Sequence, residues 1–101
     1  MSSKDCVFCK IVSREIPARV LFEDDNFLAF SDVNPKAKIH ILLIPKDHIP
    51  SLNQLDNGEI LVKVKDVAKG ERISDGYRVR IHTGKKGGQE VDHLHLHILA
   101  D

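Results

Sequence analysis

Asp92-His93-Leu94-His95-Leu96-His97-Ile98-Leu99 alternates polar and apolar residues without a break. That is the period of a β-strand with one buried face. On such a strand three imidazoles point one way, and Leu94, Leu96 and Ile98 point the other. Same-face neighbours stand about 6.5–7 Å apart, twice the rise per residue. A row of imidazoles at that spacing can bind a metal, carry protons or attack phosphorus. Half of the 6 histidines lie in this stretch.

Working outward, Thr83-Gly84-Lys85-Lys86-Gly87-Gly88-Gln89 is a glycine-rich loop, and Gly76-Tyr77-Arg78-Val79-Arg80-Ile81-His82 before it reads as a fourth strand. Further back, Ile60, Leu61, Val64, Val67 and Ala68 recur at helical spacing. Asp56 is the expected N-cap of that helix, with Glu59 three residues on, and Gly70 its C-terminal cap. Residues 38–44 form a third strand, with Ile39, Ile41 and Leu43 on one face and His40, Leu42 and Ile44 on the other. A strand apolar on both faces belongs at the centre of its sheet. Arg19-Val20-Leu21-Phe22-Glu23 and Phe27-Leu28-Ala29-Phe30-Ser31 flank the turn residues Asp24-Asp25-Asn26 as a hairpin. Val7, Phe8, Ile11 and Val12 predict a first helix of two turns that ends at Ile16-Pro17, since the residue before proline avoids the α region. The expected fold is α+β, two helices on a mostly antiparallel sheet, in a single domain over residues 1–101.

Composition excludes several classes. Fifteen basic and 15 acidic residues cancel, so no long-range field draws in nucleic acid or an anionic membrane. No apolar run approaches the ~20 residues of a membrane span. The first residues lead into no signal-peptide core, which makes the cytoplasm the expected location. There, 2 cysteines are metal ligands or free thiols rather than a disulfide.

Cys6-x-x-Cys9 is open on spacing alone. A structural zinc needs two further ligands, for which His48 and one histidine of the row are candidates. A redox motif would follow a strand, and none precedes it. Within the row, clustered imidazoles suppress one another's protonation, so at least one is neutral and available as a nucleophile. A catalytic metal on the row is the rival reading, weakened because no carboxylate shares that face of the strand. Glycines at 84, 87 and 88 let backbone N–H groups approach a phosphate, with Lys85 and Lys86 nearby. His40 needs a hydrogen-bond partner if buried, and the row can supply one. Asp32 is placed to meet ribose hydroxyls, or equally to form the turn before Asn34-Pro35.

The ordered set Cys6-Val7-Phe8-Cys9-Lys10-Ile11-Val12, Glu15-Ile16-Pro17, Phe22-Glu23-Asp24-Asp25, Asp32-Val33-Asn34-Pro35, His40 to Lys46, Gly87-Gly88-Gln89 and the alternating histidines resembles the histidine triad (HIT) family, in its Hint branch. The resemblance implies a homodimer whose two sheets join, and hydrolysis of purine nucleoside phosphoramidates (AMP or GMP derivatives). By position it implies His95 as nucleophile through a covalent nucleotidyl-histidine. His97 would contact the phosphate and assist proton movement, and His40 would support the cluster. Asp32 and Val33 match the nucleoside pocket, Gly88 and Gln89 the phosphate loop. Cys6, Cys9, His48 and His93 match the structural zinc ligands of several bacterial members.

The sequence also departs from that pattern. Glu90 stands where many relatives have the serine that protonates the leaving amine. His82 replaces an asparagine that touches the phosphate, and Asp92 an apolar or aromatic residue. Relatives continue beyond the equivalent of Asp101 into a tail that in some helps choose the substrate, an element expected to be missing. These departures motivate an alternative, a nucleotide-binding or scaffold protein with little catalysis.

Overall fold

The computed structural model describes residues 5–101; residues 1–4, including most of the stretch read for a leader, lie outside them. Its elements are α1 (Val7–Val12), β1 (Val20–Glu23), β2 (Phe27–Ser31), β3 (Ile39–Pro45), α2 (Glu59–Gly70), β4 (Arg78–Ile81) and β5 (Leu96–Ala100). The strands form one antiparallel sheet in the order β1-β2-β3-β5-β4, which is the expected α+β fold.

β3 lies at the centre, as its two apolar faces require. Ile41 and Leu43 join Leu94, Leu96 and Ile98 under α2, which presents Ile60, Val64, Val67 and Ala68 at helical spacing. Leu42 and Ile44 join Leu28, Phe30, Phe8, Ile11 and Cys6 beneath α1 on the opposite face. Each fully buried Leu or Ile contributes roughly 1.5–3 kcal/mol. The β1–β2 hairpin forms as read, with one extra residue near Leu21 shifting its register. Asp24 Oδ1 closes its turn by accepting the N–H groups of Asn26 and Phe27 at 2.9 and 2.8 Å.

Both helices end differently from expectation. α1 stops at Val12, well before Ile16-Pro17, because Arg14 turns left-handed at φ 71°. Arg14 N–H then bonds Ile11 O, and Glu15 N–H bonds Lys10 O, the paired bonds of a Schellman motif. α2 repeats the device with Arg72 at φ 61°, Arg72 N–H bonding Lys69 O and Ile73 N–H bonding Ala68 O. Gly70 is therefore the last helical residue rather than the cap. At the other end Gly58 takes the N-cap position, and Asn57 Oδ1, not Asp56, accepts the Glu59 N–H at 2.9 Å.

The two strands nearest the site are shorter than their patterns suggest. β4 runs only over Arg78–Ile81, leaving Gly76, Tyr77 and His82 outside. In β5 only His97 of the three histidines lies in the paired ladder. Leu94 donates its N–H to Ile49 O at 2.6 Å instead of to a strand. The His93 ring meanwhile reaches Pro45 O at 2.9 Å. The alternation of faces survives, since Leu94 joins the α2 core while His93 and His95 pack against Phe8 of α1.

Candidate active site and metal centre

Hydrogen bonds assign a protonation form to each histidine of the cluster. His40 Nδ1 accepts the Lys36 N–H at 3.0 Å, so its proton sits on Nε2 and is donated to His97 Nδ1 at 2.9 Å. His97 is left with Nε2–H as its free donor. Asp32 Oδ2 stands 3.4 Å from His40 Nε2, and Asp32 Oδ1 accepts the Asn34 N–H at 2.8 Å. His40 is held below the ordinary histidine range by burial, opposed by Asp32 and reinforced by Lys36 and Arg80. His97 is pushed down to about 4 by burial and then by His95, His40 and His82, so it is neutral near pH 7.

His95 is set up differently. Its Nδ1–H donates to the His93 carbonyl at 2.8 Å, which leaves the Nε2 lone pair free. Phe8 packs edge-on against the ring with centroids 5.0 Å apart. A ring locked at one nitrogen and packed on its face presents the other as an oriented nucleophile.

These groups share a cleft of about 350 Å³ with Asn34, Lys36, Arg80, His82, Gly88 and Glu90. A more apolar hollow of about 330 Å³ adjoins it, lined by Phe8, Ile11, Phe30, Val33 and Leu42 among others, and shares Asp32, Glu90, His95 and His97. Val33 is 90% exposed, an apolar side chain with nothing over it. Polar groups at one end and apolar walls at the other suit a ligand with an anionic head and a flat apolar body.

The glycine loop closes around its own glutamine. Gln89 Oε1 accepts the Gly84 N–H at 2.9 Å, while Nε2 donates to Pro50 O at 2.7 Å and Val91 O at 2.9 Å. The Gln89 side chain, at a position matched to the phosphate loop, is thus committed to the loop itself, and Gln89 does not line the cleft. Gly88, at φ 82°, does line it, and a Cβ there would stand 3.4 Å from His82 Nδ1. Lys36 and Arg80 were not singled out from sequence. The alternation of Arg78 and Arg80 was the available signal, since Arg80 pairs with His97 across the ladder.

Cys6, Cys9, His48 and His93 bring four potential ligand atoms within 4.8 Å of one another. Cys6 Sγ is 3.2 Å and Cys9 Sγ 3.5 Å from His93 Nδ1, and Cys9 Sγ is 3.2 Å from His48 Nδ1. His93 donates Nε2–H to the Pro45 carbonyl, so its Nδ1 lone pair faces the sulfurs, as a metal-binding histidine's would. Burial, followed by the Cys6 hydrogen bond and charge, pushes the Cys9 thiol up to about 11, so a thiolate pair here calls for a cation. The donor set and its outer hydrogen bond fit zinc.

Asp32, His40 and His97 form a second close group. There the Lys36 N–H holds the His40 proton on Nε2, the nitrogen that would have to bind. A metal would displace both that proton and the backbone bond, so the group is a hydrogen-bonded chain rather than a metal centre. His93 keeps a free Nδ1 lone pair for a metal, whereas the His40 nitrogen that would have to bind carries its proton.

Comparison with known proteins places this arrangement. A family model described as the HIT domain matches residues 13–101. Protein HitA of Neisseria gonorrhoeae is 46% identical over 102 residues, covering 95% of each chain. The crystal structure of a HIT family hydrolase from Legionella pneumophila superposes with TM-score 0.88 at 46% identity, covering 95% of this chain and 92% of that one. A histidine triad nucleotide-binding protein from Candida albicans gives TM-score 0.84 at 33% identity, over 93% and 73%. The chain belongs to the HIT domain family.

Proposed function

We propose that this protein hydrolyses purine nucleoside phosphoramidates, or transfers their nucleotidyl group, through a nucleotidyl-His95 intermediate. One observation carries the reading: the His95 Nδ1–H is tied to the His93 carbonyl, so a free Nε2 lone pair faces the cleft. The Legionella relative is described as a hydrolase and the Candida relative as nucleotide-binding, which supports hydrolysis and a nucleotide ligand.

In this reading the base lies in the apolar hollow between Phe8, Ile11, Phe30 and Val33, and Asp32 meets the ribose. Gly88, His82 and the His97 Nε2–H surround the α-phosphate, with Glu90 at the leaving-group side. His95 Nε2 attacks phosphorus, the P–N bond breaks, and water later releases the nucleotide. His40 acts through His97, holding its ring by the 2.9 Å bond. Cys6, Cys9, His48 and His93 would hold a structural zinc that clamps the N-terminal segment to the sheet.

A homodimer is part of the proposal. Among the described residues β4 is an edge strand with its outer side unpaired, Val79 is 39% exposed, and Leu61 and Val62 of α2 are open. Thiol ligands suit the cytoplasm as the location. Among the described residues no helix is long and apolar enough to cross a membrane.

The test is direct. His95→Asn incubated with an adenosine phosphoramidate should release no AMP above background while still binding AMP. Turnover at the wild-type rate would refute the nucleophile assignment. The alternative, a nucleotide-binding scaffold with little catalysis, is motivated by Glu90 in place of a hydroxyl donor. Mass spectrometry after rapid quench separates the two, because only the enzyme accumulates a nucleotide adduct.

A further inference from the structure

When the P–N bond breaks, the departing nitrogen takes the electron pair and needs a proton. The His40–His97 chain has none to spare. For His97 to release its Nε2 proton it must take the His40 proton at Nδ1. His40 would then need a replacement from its own Nδ1, which already accepts a backbone N–H from Lys36. The chain ends at an amide, so His97 donates a hydrogen bond but delivers no proton. The low affinity of its buried ring for a second proton agrees.

One further imidazole lines the cleft. His82, just beyond β4, donates Nδ1–H to the Gly87 carbonyl at 2.9 Å. Gly88 lies beside that same nitrogen, where a Cβ would come to 3.4 Å from it. The ring is thereby anchored and Nε2 is its free atom. It stands edge-on to His97, centroids 5.2 Å apart at 86°, and both rings line the cleft with His95 and Glu90. The charged and titratable groups that line the cleft with it are His97 of β5, Arg80 of β4, Lys36, Asp32, His40, His95 and Glu90.

We infer that His82 is a catalytic acid: as the imidazolium it gives its Nε2 proton to the departing amine. In that step the His95 Nε2–phosphorus bond forms, the P–N bond breaks, and the amine leaves neutral. In the next step water attacks phosphorus, His95 departs, and the proton lost by water returns to His82 Nε2. The inference rests on the nucleotidyl-His95 reading.

The experiment measures single-turnover formation of nucleotidyl-His95 in the full chain. Wild type, His82→Asn and Glu90→Gln are each given an adenosine phosphoramidate of an alkylamine and adenosine 5′-phosphorofluoridate, whose fluoride leaves without a proton. His82→Asn should slow adduct formation from the alkylamine roughly 100-fold. From the fluoridate its loss should shrink to a few-fold, which also demonstrates a folded site. Equal loss with both substrates would overturn the inference, because it marks a phosphate contact or a structural role. So would a leaving-group-selective loss in Glu90→Gln instead. Absence of any adduct in wild type with the fluoridate would sink the covalent reading itself.

Discussion

His93 and His95 are joined through the backbone: the carbonyl of His93 accepts the His95 Nδ1–H at 2.8 Å, while the His93 side chain faces Cys6 and Cys9. One residue thus faces the proposed zinc site with its ring and holds the proposed nucleophile with its peptide. Phe8 lies between the two cysteines in sequence and touches both rings, with centroids at 5.8 Å from His93 and 5.0 Å from His95.

Removing the proposed zinc should therefore reach the chemistry. Cys9→Ser is expected to abolish zinc retention and to lower kcat roughly 10-fold, with a smaller change in nucleotide affinity. Metal analysis beside steady-state kinetics checks this. Full activity in a zinc-free variant would show that the two centres are independent.

Acid should destabilise the fold through the central pair. The folded-state values of His40 and His97 lie below the ordinary histidine range, burial being the first cause in each. The unfolded chain then binds those protons more readily, so acidification favours unfolding. For His97 the contribution is whole above 6.5 and is lost as pH falls toward about 4. Urea midpoints across that window should decline, and less steeply in His97→Asn. Parallel declines would assign the acid sensitivity to other groups.

The helix ends predict a gain. Arg72 holds a left-handed conformation that costs an L-residue about 1 kcal/mol and glycine almost nothing. Arg72→Gly should stabilise by about that amount. Arg14→Gly should gain less, since Arg14 also pairs with Glu23. Thermal melts of the two variants rank them, and a lower Tm in Arg72→Gly would contradict the strain argument.

Much of the fold was legible because its signals are local. The two-faced pattern of β3 put it at the centre, and Ile60, Val64, Val67 and Ala68 marked the buried face of α2. Helix ends were misread because capping depends on backbone angles. Nothing in the identity of Arg14 or Arg72 announces a positive φ, for which glycine is the usual residue. Gln89 matches the phosphate loop by position, but the partners of its side chain, Gly84, Pro50 and Val91, come together only once the loop has folded against the segment before α2.

By itself the sequence determined that three histidines share a face, that β3 is buried on both sides, and that two cysteines stand one helical turn apart. These follow from chain periodicity. Only the tertiary structure decided what each imidazole can do, because a tautomer is set by the partner of its other nitrogen. Pro45 O turns the His93 Nδ1 lone pair to the sulfurs, and His93 O frees Nε2 of His95. Lys36 N–H fixes the His40 proton toward His97, and Gly87 O leaves Nε2 of His82 open to the cleft. Of these partners, only His93 O comes from the histidine run itself.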